Sequence, residues 1–589
     1  MTDSTYRNMD NFKTYTTRSI YNMLTDTSYT KIIVFWFIAI FPLFIPNNGG
    51  TGLALPQNLL TWMLMLILSG LVFYRTKQPL IITPTWCWAA AGTLVLAVPL
   101  FYTRSEWLPA ALWRHAGLTG GLLFWLAGLQ INWSIAQRRW VIHAILLATV
   151  IQTLLALWQT LTLTQFPYPL AIPVARSGGV FQQVNVLASF CAVGLGLALG
   201  IFLTPVYRFS VSQAPYQSVT GAVLFILSAG LVWQQSRTGW LAEILICFAA
   251  VVRFRLYPRQ LALAFIIMFS GGACAALLMY KGIGVPVISH AGSNLARMSM
   301  YRDALAMTIQ KFWTGWGYGG FEFNFQHFRL AQRPDEYITE IARHPHNELL
   351  YWLVDGGAVA GIGLLLLFLS AGNLIQQVTR FRSSQYVCFP LGLALIPLLL
   401  HSQTEYPFYL STTHWLLFIL FITLLDRLTI PATSLVALPR VSSRSICFIL
   451  FALTVSVAAG GLIPAFNSHL ALTDFERQGW HRTGESERAM RYDRFINTER
   501  WAYDLHTHNL LAFNLTRDAK VLEDYQLWAQ NYLKTRIDRN VYANLVLIER
   551  AQGKTELAEQ HRREVSYLFP NDSRFITPSS VDTSWKSLD

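Results

Sequence analysis

Long apolar runs, separated by short polar breaks, recur along most of the 589-residue chain. Crossing the ~30 Å hydrocarbon layer as an α-helix takes about 20 such residues. Read against the breaks, the pattern predicts thirteen spans, near 31–46, 55–74, 84–102, 115–131, 140–162, 182–204, 219–235, 239–252, 260–281, 348–371, 386–401, 412–426 and 444–465. The first is short, and the seventh and eighth are nearly continuous. After residue 465 apolar and charged residues alternate in the manner of a soluble helical segment.

Basic residues supply a direction. With the N-terminus in the cytoplasm, Arg75, Lys77, Arg138, Arg139, Arg208, Arg253, Arg255, Arg259, Arg380, Arg382, Arg427 and Arg440 all fall on inside segments. The short outside connections hold few, which is the positive-inside bias of membrane proteins. This parse divides the chain into a cytoplasmic segment 1–30, nine spans over 31–281, a large outside loop 282–347, four spans over 348–465 and an outside helical region 466–589.

Composition agrees. The chain is 53% hydrophobic and 13% charged, against about 25% charged in soluble proteins. The net charge of +13 does not mark a nucleic-acid binder. Residues 466–589 hold 17 basic and 18 acidic residues, so the excess lies between the apolar spans, 28 basic against 14 acidic. The six cysteines lie in or beside apolar spans with no CxxC and no Cys/His ligand spacing, which argues against a disulfide framework or a zinc site. The first 30 residues are polar with no A-x-A-like site after the first apolar run, so that run is expected to stay as an anchor.

Five polar stretches land on the outer face. "RHPHNELL" places His344, His346 and Asn347 at the mouth of a span, where asparagine suits a helix cap. There the helix end should lower a histidine pKa and leave a neutral imidazole able to accept a hydroxyl proton. Either His344 or His346 could serve. Arg237, in "QQSRTGW", is placed either to snorkel to headgroups or to receive a phosphate bidentately. Residues 294–312 read as an amphipathic helix with Leu295, Met298, Tyr301, Leu305 and Ile309 at helical spacing, followed by a turn, "GWGYGG". Arg176, Gln182 and Asn185 enter the sixth span, the last two on one helical face. "HSQTEYPF" puts Glu405 and Tyr406 at the end of another span, and an acidic residue there calls for an arginine or histidine partner.

In these residues the chain resembles the bacterial protein O-oligosaccharyltransferases, relatives of the O-antigen ligases and O-antigen polymerases. The elements are Arg176 through Ala188, Ser236-Arg237-Thr238-Gly239, Arg297 with Tyr301 and the glycines 315, 317 and 319, His346-Asn347-Glu348-Leu349-Leu350, and His401 to Phe408. Position 301 is tyrosine where tryptophan is common. The resemblance implies a GT-C-like, all-α polytopic membrane protein of the bacterial inner membrane. It would transfer a preassembled glycan from undecaprenyl pyrophosphate to a serine or threonine of an exported protein, such as a pilin or periplasmic protein, with no cofactor or metal. His346 would be the base, and Arg237, Arg297 and Arg176 would hold the pyrophosphate. Gln182, Asn185, Asn347, His344, Glu405 and Tyr406 would line the donor and acceptor sides. A ligase acting on lipid A-core and an O-antigen polymerase are the alternatives. A glycolipid transporter fits less well, since transporters place polar groups at the bilayer midplane.

The tail adds a separate reading. "NVYANLVLIERAQGKTELAEQHRREVSYLFP" predicts helix, turn at Gly553, helix and a stop at Pro570. Tyr542, Leu545 and Ala558 stand as in a tetratricopeptide repeat, which suggests either a docking surface for a protein or a helical cap over the outer loops.

Overall fold

The structure is a computed structural model that describes residues 20–162, 178–181, 183–204, 206–209, 213–284, 291–333, 341–380, 382–429, 436–437, 439–481 and 483–576. The fold is that of an all-α polytopic membrane protein. Among the described residues the only strands are two-residue segments, Ile81–Ile82 paired antiparallel with Val436–Ala437. Among the described residues ten helices are long and apolar enough to cross a membrane.

Three of the thirteen expected spans fall on helices outside those ten, each for a visible reason. The first, Thr27–Ile40, is short. Leu108–Leu129 carries Arg114 and His115 near its start and a glycine-rich middle, yet packs against Pro56–Arg75 and Thr412–Thr429. Arg237–Phe254 contains Arg237, Glu243 and Arg253. The near-continuous seventh and eighth spans are two helices, broken at Gln235, whose φ of 51° no regular helix contains, and restarted by Ser236, whose hydroxyl accepts the Gly239 N–H.

Val184–Leu203 is the axis of the bundle: every one of its residues except Asn185 is buried. It touches Arg382–Thr404, Gln213–Gln234, Arg237–Phe254 and Ile135–Thr162. Without a solvent-driven hydrophobic force between helices inside a bilayer, close backbone approach supplies much of the packing energy. Gly196 permits this against Leu393, where a Cβ would lie 2.8 Å from the carbonyl oxygen; at Gly200 it would lie 2.5 Å from Pro390 Cα. Gly200→Val is therefore expected to force backbone apart and cost about 1–3 kcal/mol. The readout is an earlier loss of the monodisperse peak when the detergent-solubilised protein is heated.

The C-terminal helices Thr498–Thr516, Ala519–Tyr532, Arg539–Ala551 and Thr555–Leu568 enclose a core of Tyr525, Ala529, Val541, Leu545, Val565 and Leu568. The expected helix–turn–helix is present: Gly553 turns the chain at φ 78°, and Tyr542, Leu545 and Ala558 are buried. This region sits on one end of the bundle. Trp107 Nε1 donates to the Lys534 carbonyl at 2.9 Å, Ile537 N–H donates to Glu322 at 2.8 Å, and His327 meets Glu564 at 3.1 Å.

Candidate active site

The same end of the bundle gathers the polar residues singled out in sequence. Glu405, just past Arg382–Thr404, is their centre and is almost fully buried. Its Oε1 accepts from Asn185 Nδ2 at 2.6 Å and from Arg297 Nη2 at 2.7 Å. Its Oε2 faces His401 Nε2 at 3.2 Å and Gln183 Nε2 at 3.4 Å. Burial alone would raise the Glu405 pKa, but the His401 hydrogen bond and the charges of His401 and Arg297 bring it below the ordinary carboxylate range. Glu405 is thus held as an anion at the meeting point of the axial helix, the Arg297 helix and its own. Asn185 extends the cluster one residue further: its Oδ1 accepts from Ser236 Oγ at 2.8 Å, so the start of Arg237–Phe254 is tied to it.

His346 lies beside this cluster in an unusual backbone state, φ 55°. A non-glycine residue there is strained unless its surroundings hold it. Both of its peptide groups are held. Its N–H donates to His344 Nδ1 at 3.0 Å, and its carbonyl accepts from Tyr301 OH at 3.1 Å. Asn347 caps the following helix, its Oδ1 accepting the Leu350 N–H at 2.9 Å, while its Nδ2 donates to the Gln403 carbonyl at 3.2 Å. The His346 ring meets Tyr406 edge-on at 5.3 Å, and its Nδ1 is enclosed with no hydrogen-bond partner among the described residues.

The two histidines have different work. His344 is buried; because its Nδ1 accepts the His346 N–H, its ring proton sits on Nε2, facing Glu348 Oε2 at 3.5 Å. It packs on Tyr351, Tyr406 and Tyr409. His344 therefore positions the backbone of His346. Burial pushes the His346 pKa down to about 4, opposed by the Glu405 charge and assisted by Arg297. The expected direction is present, but its cause is burial, where the sequence pointed to the helix end.

Beneath lies a second network that the sequence did not announce. Arg114 Nη1 pairs with Asp355 at 2.9 Å, and its guanidinium is sandwiched between the rings of Tyr351 and Trp352, 3.7 and 3.6 Å from their centroids. Glu348 accepts from Trp352 Nε1 and Tyr409 OH. The glycine turn completes it: Gly317 N–H donates to the Asp355 carbonyl at 2.9 Å, and a Cβ on Gly315 would lie 2.4 Å from that same carbonyl.

Residues 222–365, which carry Arg237, Arg297, Tyr301, His344, His346 and Asn347, match the O-antigen ligase family. Residues 391–580, with Glu405, Tyr406 and the C-terminal helices, match the C-terminal region of the virulence factor membrane-bound polymerases. The chain is related to the O-antigen ligase superfamily. No curated protein matches it.

For this O-antigen ligase relative the structure brings Asn185, Arg297, His344, His346, Asn347, Glu405 and Tyr406 into one connected site. Arg237 stands next to Ser236 and half-buried at the same helix start. Arg176 and Gln182 lie outside the described residues. The helix of the sixth span starts at Val184, with Gln183 as its extended cap, and the expected pairing of Gln182 with Asn185 falls outside the described residues. Gln183, which sequence did not single out, makes a contact to Glu405. His401 is the other contributor that sequence left without a role; its spacing of four from Glu405 on a helix was the available signal.

Proposed function

We propose that the chain is a metal-independent glycosyltransferase that moves a preassembled glycan from undecaprenyl pyrophosphate to a serine or threonine hydroxyl of an exported protein, on the periplasmic side of the inner membrane. The observation that supports this best is the joining of Arg297, Asn185, His346 and Glu405 at the ends of membrane helices. A polyprenyl carrier needs a site at that level, and a protein acceptor needs one open to water.

In this reading Arg297 and Arg237 take up the charge that develops on the departing pyrophosphate, which is already a good leaving group. Glu405 holds Arg297 in place. His346, neutral at physiological pH, accepts the proton of the attacking hydroxyl as the new glycosidic bond forms. A pKa near 4 makes a weak base, and the bound donor changes that: a pyrophosphate beside Arg297 adds negative charge near the ring and raises its proton affinity. The sign follows for pH dependence. The acid limb of kcat/KM, which reports the free enzyme, is expected near pH 4, while the limb of kcat lies higher. A transfer assay with purified donor across pH 3.5–8 checks both. Chelation with EDTA is expected to leave the rate unchanged.

The docked C-terminal helices favour a protein acceptor over lipid A-core. The test is expression in a host that makes a lipid-linked glycan. Hydroxyl-linked glycan on an exported protein, seen by mass, supports the proposal. Restored polymer on lipid A in a ligase-deficient host, with every exported protein unmodified, assigns the chain to the lipid ligases instead.

A further inference from the structure

The helix that brings Arg297 to the site has two apolar faces. Met300, Ala304 and Met307 pack inward on Phe321, Phe325 and Val354. Leu305 and Ile309 point the other way and Phe312 and Trp313 follow in the turn, with Ile309 70% and Trp313 74% exposed. Sequence placed this segment in a loop outside the membrane, where four large apolar side chains would stand in water.

Its depth can be read from neighbouring helices. Helix Ala291–Gln310 runs alongside the first turns of Glu348–Arg380: Tyr301 bonds the His346 carbonyl, and further down Ala358 N–H donates to the Phe312 carbonyl at 2.7 Å. This last bond is made at Gly357, whose φ of 59° and ψ of −149° kink the long helix. A Cβ at Gly357 would lie 2.6 Å from the Phe312 carbonyl and from Gly315 N, so the tip is seated against the kink. On the far side, Ser370 Oγ donates to the Thr85 carbonyl, beside the polar segment around Lys77 that ends the preceding span. Thirteen residues separate Ser370 from Gly357, about 20 Å at 1.5 Å per residue, within a hydrocarbon layer of ~30 Å. The exposed tip is also continuous with Ile362, Leu365 and Phe368, the exposed apolar side of the same long helix. Lys311, just before the tip, lies 4.0 Å from the Trp316 ring, a contact that holds its charge against the protein.

We propose that residues 291–332 form a re-entrant helical hairpin whose tip, Phe312 and Trp313, sits among the acyl chains of the bilayer. The descending arm is Ala291–Gln310, the glycine turn reverses the chain, and Phe321–Gln332 returns toward the C-terminal helices. Irregular backbone is tolerated at such depth where protein satisfies it, and here Val354 and Asp355 carbonyls accept the Trp316 and Gly317 N–H groups. The arm is therefore a wall, with lipid against Leu305 and Ile309, the Met300, Ala304 and Met307 side packed on protein, and Arg297 and Tyr301 along the edge between them. This inference stands apart from the identity of the acceptor.

The experiment replaces Trp313 and, separately, Ile309 with the photoreactive p-benzoylphenylalanine in the full chain, reconstituted in phosphatidylcholine nanodiscs and irradiated. Phe368 serves as the lipid-facing reference and Leu515, exposed on a C-terminal helix, as the water-facing one. Only preparations that elute as wild type are compared. Phosphatidylcholine adducts at 313 and 309, at yields within about threefold of those at 368, support the hairpin. Yields as low as at 515, or adducts to a second copy of the chain, overturn it.

Discussion

His346→Ala is expected to reduce glycan transfer by roughly 10² to 10⁴-fold, the range a positioned proton acceptor contributes, while the protein reaches the membrane at wild-type level. The ring makes no hydrogen bond to another residue among those described; what holds the site together at this position is its backbone, through Tyr301 and His344. Alanine keeps those backbone groups, although it shares the strain of a positive φ. The loss should appear in kcat with little change in donor KM, because Arg297 and Arg237 remain. Steady-state transfer with purified, lipid-linked donor measures it. A variant that keeps more than a tenth of wild-type kcat would remove His346 from the base role.

Glu405→Gln is the second large effect, and it reaches the site through Arg297. The amide keeps the shape of the carboxylate and loses its charge, so the guanidinium 2.7 Å away is no longer held as an ion pair and Asn185 loses its strongest acceptor. A misplacement of about 1 Å in such a group costs on the order of 10²-fold in rate. Stability should fall as well, with a definite pH signature. The Glu405 pKa is lowered in the folded protein, so its contribution is fully present above the ordinary carboxylate pKa and fades as pH drops through the folded value. The Tm difference between wild type and Glu405→Gln is therefore expected to be widest near neutral pH and to close in acid. A constant difference across pH would mean that lost packing, and not lost charge, governs the variant. His346 adds a further readout: without the Glu405 charge its pKa falls further, and the acid limb of kcat/KM moves down with it.

The helices were legible because length and apolarity are local properties, and the ten long ones coincide with expected spans. Most of the site was legible for a related reason: ionisable groups beside apolar runs are costly, so "HPHN", "HSQTEYPF" and "SRTG" stand out without knowledge of their partners. What could not be read were relations made by tertiary contact. Arg114 and Asp355 are 241 residues apart, and each alone reads as an ordinary charge near a helix end. The His346 pKa shift needed the burial that Tyr406 and the neighbouring helices provide. The division between His344 and His346 rests on one backbone hydrogen bond that no spacing encodes. The glycines at 315, 317 and 319 announced a turn, but the kink at Gly357 that receives it lies inside a sequence that looks like uninterrupted helix.

The enclosed run Val186–Leu203 also dictates an order of biogenesis. Three of its walls, Ile135–Thr162, Gln213–Gln234 and Arg237–Phe254, lie next to it in the chain, whereas Arg382–Thr404 emerges some two hundred residues later. Until then the axial helix has lipid where it will later have protein. Its sequence suits that interval, with a mean hydropathy of 2.4 and no ionisable side chain except Cys191. The glycines that later admit Leu393 and Pro390 leave a shallow groove waiting in the membrane. Asn185 waits with it, and its partner Glu405 arrives only with the last third of the chain. The enzyme consequently has no assembled site while it is being made, and a nascent chain released early would be inserted, apolar and catalytically silent.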